Sequence, residues 1–143
     1  MRHSDTLDAA EALVLTMVLV SVADGGITDR EIGIMSGQVQ TLPVFQDFTP
    51  DRLGDVTDAA VTLLDEEDGL AHAGRLMRAA LAPRLRETAY ALACEVAAVA
   101  APGKNQVLDM LAYIRGELEL DPLIATAIER GVRARHQRIE SGD

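Results

Sequence analysis

The chain has 143 residues and a formal net charge of −10, and 48% of it is apolar, with no Trp and few aromatics. A surface this acidic excludes general binding to polyanions, so neither nucleic acid nor direct adsorption to an anionic membrane is expected. The length suits one domain, residues 1–143 with frayed ends near 1–5 and 137–143, and allows a substantial core.

The apolar share is built from Ala, Leu, Val and Ile, which suits close helix–helix packing. Cys94 is the one cysteine and cannot form an intramolecular disulfide, so a reducing, cytoplasmic setting is expected. Glu95 follows it, which disfavours a thiolate, and Cys94 reads as a small buried hydrophobe. No signal peptide pattern opens the chain. The apolar run Ala12 to Ala23 is about 12 residues long where a membrane span needs roughly 20.

The first helix is expected from about Thr6 to Ala23, capped by Ser4 or Asp5. Its second half, Leu13 to Val22, is apolar nearly all round, the pattern of a helix in the middle of a protein. Asp24-Gly25-Gly26 ends it, since glycines admit left-handed backbone. Thr28 and Glu31 then fit a capping box, and the second helix should run to about Thr41 with Ile32, Met35 and Val39 inward. Pro43 closes it, and Val44, Phe45 and Phe48 plug one end of the core.

Thr49-Pro50 opens a third helix with Leu53, Val56, Ala60, Leu63 and Leu64 on its buried stripe. The acidic run Asp65 to Asp68, followed by Gly69, breaks it, and such charge blocks are usually solvated. A shorter helix covers Leu70 to Leu81. Pro83 starts a fifth helix, polar at first and apolar all round by Ala97, which stops near Ala101-Pro102-Gly103. A sixth carries Val107, Leu108, Leu111, Ile114 and Leu118. Asp121-Pro122 opens the seventh, with Ile124, Ala127, Ile128 and Val132 inward. No segment alternates with period two. The fold class is therefore all-α, a compact bundle of about seven helices.

Thr16 to Asp24 and Leu92 to Ala100 share a pattern, a buried helix followed by a Gly-containing turn and an amphipathic helix, which suggests two quasi-repeated halves. The stretch Val22-Ala-Asp-Gly-Gly-Ile-Thr-Asp-Arg-Glu31 resembles the ADGxI(S/T)xxE signature of the TerB-like family. Arg86-Glu-Thr-Ala-Tyr-Ala-Leu-Ala-Cys-Glu-Val-Ala-Ala98 is similar to that family's second central helix. Glu119-Leu-Asp-Pro122 and Ala127-Ile-Glu-Arg-Gly-Val-Arg-Ala-Arg-His136 are similar to bacterial members, so the resemblance runs from about Leu7 to His136.

The resemblance implies an all-helical bundle of two quasi-equivalent halves, association with tellurite and other stress resistance, and no assigned catalysis. It implies a protein partner, often an integral membrane protein, which would bring the chain to the inner membrane, and acidic residues linked to divalent cations such as Ca2+ or Mg2+. The chain departs from the family at the second acidic motif. Its Asp slot reads as Ala100 or Ala97 and its Glu slot as Val107 or Lys104, so a second cation site is not expected.

For the first loop two readings stand together. Hard cations take carboxylate, carbonyl and water oxygens. In the cation reading Asp24 and Glu31 are expected to face each other across the Gly-Gly turn, with Asp29 and Thr28 adding oxygens and Glu95 as the remaining candidate ligand. The same residues also serve as plain helix punctuation, Thr28 and Glu31 as a cap, Asp29 and Glu31 as complements to the helix dipole. His3, His72 and His136 are scattered without transition-metal spacing. No nucleophile, Walker or dinucleotide motif occurs.

Two alternatives to a binding module remain, a structural subunit of a larger assembly or homo-oligomer, and an enzyme using Asp24, Glu31 and Glu95. The C-terminal Arg130, Arg133, Arg135, His136 and Arg138 suit a helix C-terminus, and equally a docking patch for an acidic partner or a membrane face.

Overall fold

The computed structural model describes residues 6–100 and 104–139. Among these are seven α-helices and no strand: α1 (Ala9–Ala23), α2 (Asp29–Thr41), α3 (Pro50–Leu64), α4 (Gly69–Ala80), α5 (Pro83–Ala100), α6 (Asn105–Glu117) and α7 (Pro122–Arg135), with a single 3-10 turn at Pro43–Phe45. Ser4 and Asp5, the expected break at Ala101-Pro102-Gly103, and the last four residues lie outside the described set.

α1 starts at Ala9 rather than Thr6, because Asp8 and Glu11 form the capping box. Each backbone N–H donates to the other's carboxylate at 2.8 Å. From Ala12 to Ser21 every residue of α1 is buried, so this helix is enclosed on all sides. Thr16 is tolerated there because its hydroxyl donates to the Ala12 carbonyl at 2.8 Å. The helix closes in a Schellman motif: Gly26 N donates to Ser21 O and Gly25 N to Val22 O. Gly25 and Gly26 hold φ of +104° and +138°, a backbone that side chains with a Cβ rarely adopt.

α5 is the second central helix, with an unbroken buried run from Leu92 to Ala97, and its interface with α1 is the most extensive in the molecule. The packing around this pair has a repeating pattern. α3 lies on α1 as α7 lies on α5, and α2 crosses to α5 as α6 crosses to α1. Each half thus lends a helix to the other's central rod. No helix among the described residues is long and apolar enough to cross a membrane.

Two stripes differ from expectation. In α2 the buried residues are Glu31, Met35 and Val39, spaced by four, while Ile32 is 47% exposed. One residue is about 100° of helix, so seating Glu31 inward turns Ile32 outward. In α7 the inward residues are Ala125 and Val132. Leu123 is 82% exposed, and Ile124 and Ala127 are also exposed. α7 rests mainly on α5, and one neighbour needs only a narrow stripe. Leu108 of α6 likewise faces outward.

Arg86 ties the ends of α4 and α6 together. Its guanidinium donates to the carbonyls of Leu81 and Arg78 at one helix end and Leu118 at the other, supplying donors to C-terminal carbonyls that their own helices leave open.

Candidate functional site

The loop from Asp24 to Glu31 joins α1 to α2. Thr28 caps α2 in a capping box: Glu31 N donates to Thr28 Oγ1 at 3.2 Å, and Thr28 N donates to Glu31 Oε1 at 2.9 Å. Glu31 is wholly buried, and its other oxygen, Oε2, is enclosed without a hydrogen-bond partner. A carboxylate oxygen held from water with nothing donating to it is costly, which marks it as a position where a partner group would be favoured. Asp29 sits at the first position of α2 and is exposed, placed to complement the helix dipole.

Asp24 is more enclosed than its place in a turn suggests, with its side chain 9% exposed. Lys104, at the start of α6, sets Nζ 3.4 Å from Asp24 Oδ1. An ammonium therefore lies beside the first loop and offsets the negative charge of Asp24.

Glu95 belongs elsewhere. It is 4% exposed on α5 and is met by the end of α7. His136 Nε2 lies 2.6 Å from its Oε1, and an Arg135 guanidinium nitrogen lies 2.9 Å from its Oε2, close but out of line for a hydrogen bond. This carboxylate is a clamp between α5 and α7. Among the described residues no three His, Cys, Asp or Glu side chains gather as a metal-ligand group, so Asp24, Asp29, Glu31 and Glu95 do not converge as one set.

Beside this clamp, α5, α6, α7 and Arg30 of α2 enclose a groove of about 700 Å3. Its lining includes Tyr90, whose hydroxyl donates to Glu129, and Arg115, 3.2 Å from the same carboxylate. Burial, and then that hydrogen bond, raise the Tyr90 phenol well above its ordinary range. Cys94 lies on the same wall. Burial pushes its thiol up to about 12, so it is a buried hydrophobe as its neighbours indicate. Tyr90, Arg115 and Arg30 were not among the residues marked by sequence. They sit on three helices, and no local spacing links them.

The acidic run Asp65 to Asp68 is exposed at the end of α3, with Glu66 Oε1 3.3 Å from His72 Nδ1. It is a solvated helix end. Comparison with family models finds no match, and neither the curated proteins nor the solved structures searched include a significant match.

Proposed function

We propose that the chain is a TerB-like binding module without catalytic activity, acting through protein contacts in a stress-resistance setting of the tellurite type, with weak divalent-cation binding at the 24–31 loop. The observation that carries the cation part is Glu31, whose buried Oε2 has no partner, in the same loop as the nearly buried Asp24. Hard cations favour such oxygens, with the turn's carbonyls and water completing the shell. Few fixed charges serve the site and Lys104 competes for one of them, so the affinity is low.

Support for the protein-contact part comes from the first turn of α7, where Leu123 and Ile124 are adjacent and exposed. Exposed apolar side chains side by side favour a partner surface. An integral membrane protein is the partner that the resemblance implies, which would hold the chain at the inner membrane from the cytoplasmic side.

Thermal unfolding with calcium, magnesium or manganese tests the cation reading, since a ligand of the native state raises the melting temperature. The wild type should respond at millimolar cation and Asp24→Ala should not. Equal responses would remove this loop from the function. Sedimentation of wild type and Leu123→Asp tests self-association as the form of contact, with a dimer in the first and a monomer in the second as the supporting result.

A further inference from the structure

The groove between α5, α6 and α7 combines two properties seldom found together on so acidic a chain. Its apolar lining is aliphatic, with Ala97 and Ala98 of α5, Val107 and Leu111 of α6, and Val132 of α7. Its ionic lining comprises four arginines against one glutamate, on a protein whose formal charge is −10.

Arg115 is already paired with that glutamate, Glu129. Arg30, Arg133 and Arg138 make no ion pair among the described residues, although acidic side chains outnumber basic ones across the chain by 23 to 13. They approach one concavity from α2, α7 and the segment after α7.

We propose that this groove binds a single-chain fatty acid, with its carboxylate held by Arg30, Arg133 and Arg138 and its hydrocarbon chain along the aliphatic lining. The volume falls in the range of about 300–1,000 Å3 that small-molecule pockets occupy. Along α6 the lining runs from Val107 to Arg115, an axial length of about 12 Å, so a medium-length acyl chain lies within it. A guanidinium presents a fork of donors that matches a carboxylate. The concavity suits a slender ligand better than a protein face, which needs a broad surface. His136 stays with Glu95 and is not drawn into the headgroup site. The inference is independent of the cation reading, since it uses none of Asp24, Asp29 or Glu31.

Fluorescence titration of the full chain with NBD-labelled dodecanoate, below its micelle concentration, tests this. Saturable binding with one site per chain is expected, displaced by unlabelled dodecanoate but not by dodecanol or dodecylamine. The Arg133→Glu/Arg138→Glu double variant should keep the wild-type circular dichroism and bind at least about tenfold more weakly, one decade of dissociation constant. Ala112→Trp, at an exposed position on the groove wall, should block binding. No saturable signal at submillimolar ligand would overturn the proposal. So would equal displacement by dodecanol, an unchanged affinity in the double variant, or displacement by an acidic helical peptide in preference to dodecanoate.

Discussion

His136 Nε2 lies 2.6 Å from Oε1 of Glu95, joining the end of the last helix to a carboxylate buried in the second central one. Arg135 brings a positive charge to the other oxygen, from a side chain that is 70% exposed. The two partners differ in depth, and the mutational consequences should differ accordingly. His136→Ala is expected to cost about 1.5–2 kcal/mol, the lower part of the range for a hydrogen bond to a charged group, because the imidazole is partly solvated. Arg135→Ala should cost less than about 1 kcal/mol, as exposed pairs do. Removing both strands a buried carboxylate, so the double variant should lose about 3 kcal/mol or more, beyond the sum of the singles. Urea unfolding of the four proteins measures this, and simple additivity would refute the clamp.

Glu31 offers a contrast, a buried carboxylate with one oxygen satisfied by the helix cap and the other unmet. Glu31→Gln keeps the cap acceptor and removes the charge. Without divalent cations its stability should lie within about 1 kcal/mol of wild type, because no positive partner is lost. With millimolar calcium or magnesium the wild type should gain stability and Glu31→Gln should not. Lys104→Ala should respond more strongly than wild type, since the ammonium 3.4 Å from Asp24 is gone. An unaltered response in Lys104→Ala would show that the lysine does not compete.

The corner between α3 and α4 depends on one missing methyl group. A Cβ at Gly69 would stand 2.5 Å from the Leu63 carbonyl oxygen and 2.9 Å from that of Leu64. Both are backbone atoms and cannot rotate away. Gly69→Ala should therefore destabilise by about 1–3 kcal/mol, the cost of overpacking. Gly33 lies inside α2 with open space where its Cβ would go, and Gly33→Ala should stabilise by about 0.5–1 kcal/mol. Melting temperatures that move in opposite directions are the expected result.

Alkaline pH should weaken the fold through Cys94 and Tyr90. The unfolded thiol loses its proton near its ordinary value of 9.0, whereas burial pushes the folded one up to about 12. Between those values the native state binds more protons than the unfolded one, so its stability falls as pH rises. Tyr90, raised by burial and by its hydrogen bond to Glu129, acts in the same direction above its ordinary value of 10.0. Urea midpoints taken between about pH 8 and about pH 11 should decline, and Cys94→Ala should decline less steeply. Parallel slopes would mean that the thiol is not the group responsible.

Much of the architecture was written locally. The evenly apolar stretch from Leu13 to Val20 has no polar face to present to water, so it had to be enclosed, and every residue of it is buried. Thr28 and Glu31, Gly25 and Gly26, and the prolines at 50, 83 and 122 set helix ends through backbone chemistry that acts over three or four residues. Such signals need no distant partner, and a single sequence carries them. Rotation of a helix about its axis is set by what packs against it. That is why Ile32 and Ile124, apolar and at plausible spacing, face outward, while Glu31 faces inward.

The pairings were decided in three dimensions. Glu95 and His136 are 41 residues apart, and Asp24 and Lys104 are 80 apart. Only the docking of α7 on α5, and of α6 on α1, brings them within reach. The groove has the same origin, because its aliphatic lining and its arginines come from four helices and the segment after the last. The sequence alone determined that helices form, where they end, and which two are too apolar to meet solvent, because those follow from side-chain chemistry over a few turns. Which charges meet, and which remain without a partner around a concavity, was decided by tertiary packing, because the interaction of two charges depends on distance and burial rather than on their order along the chain.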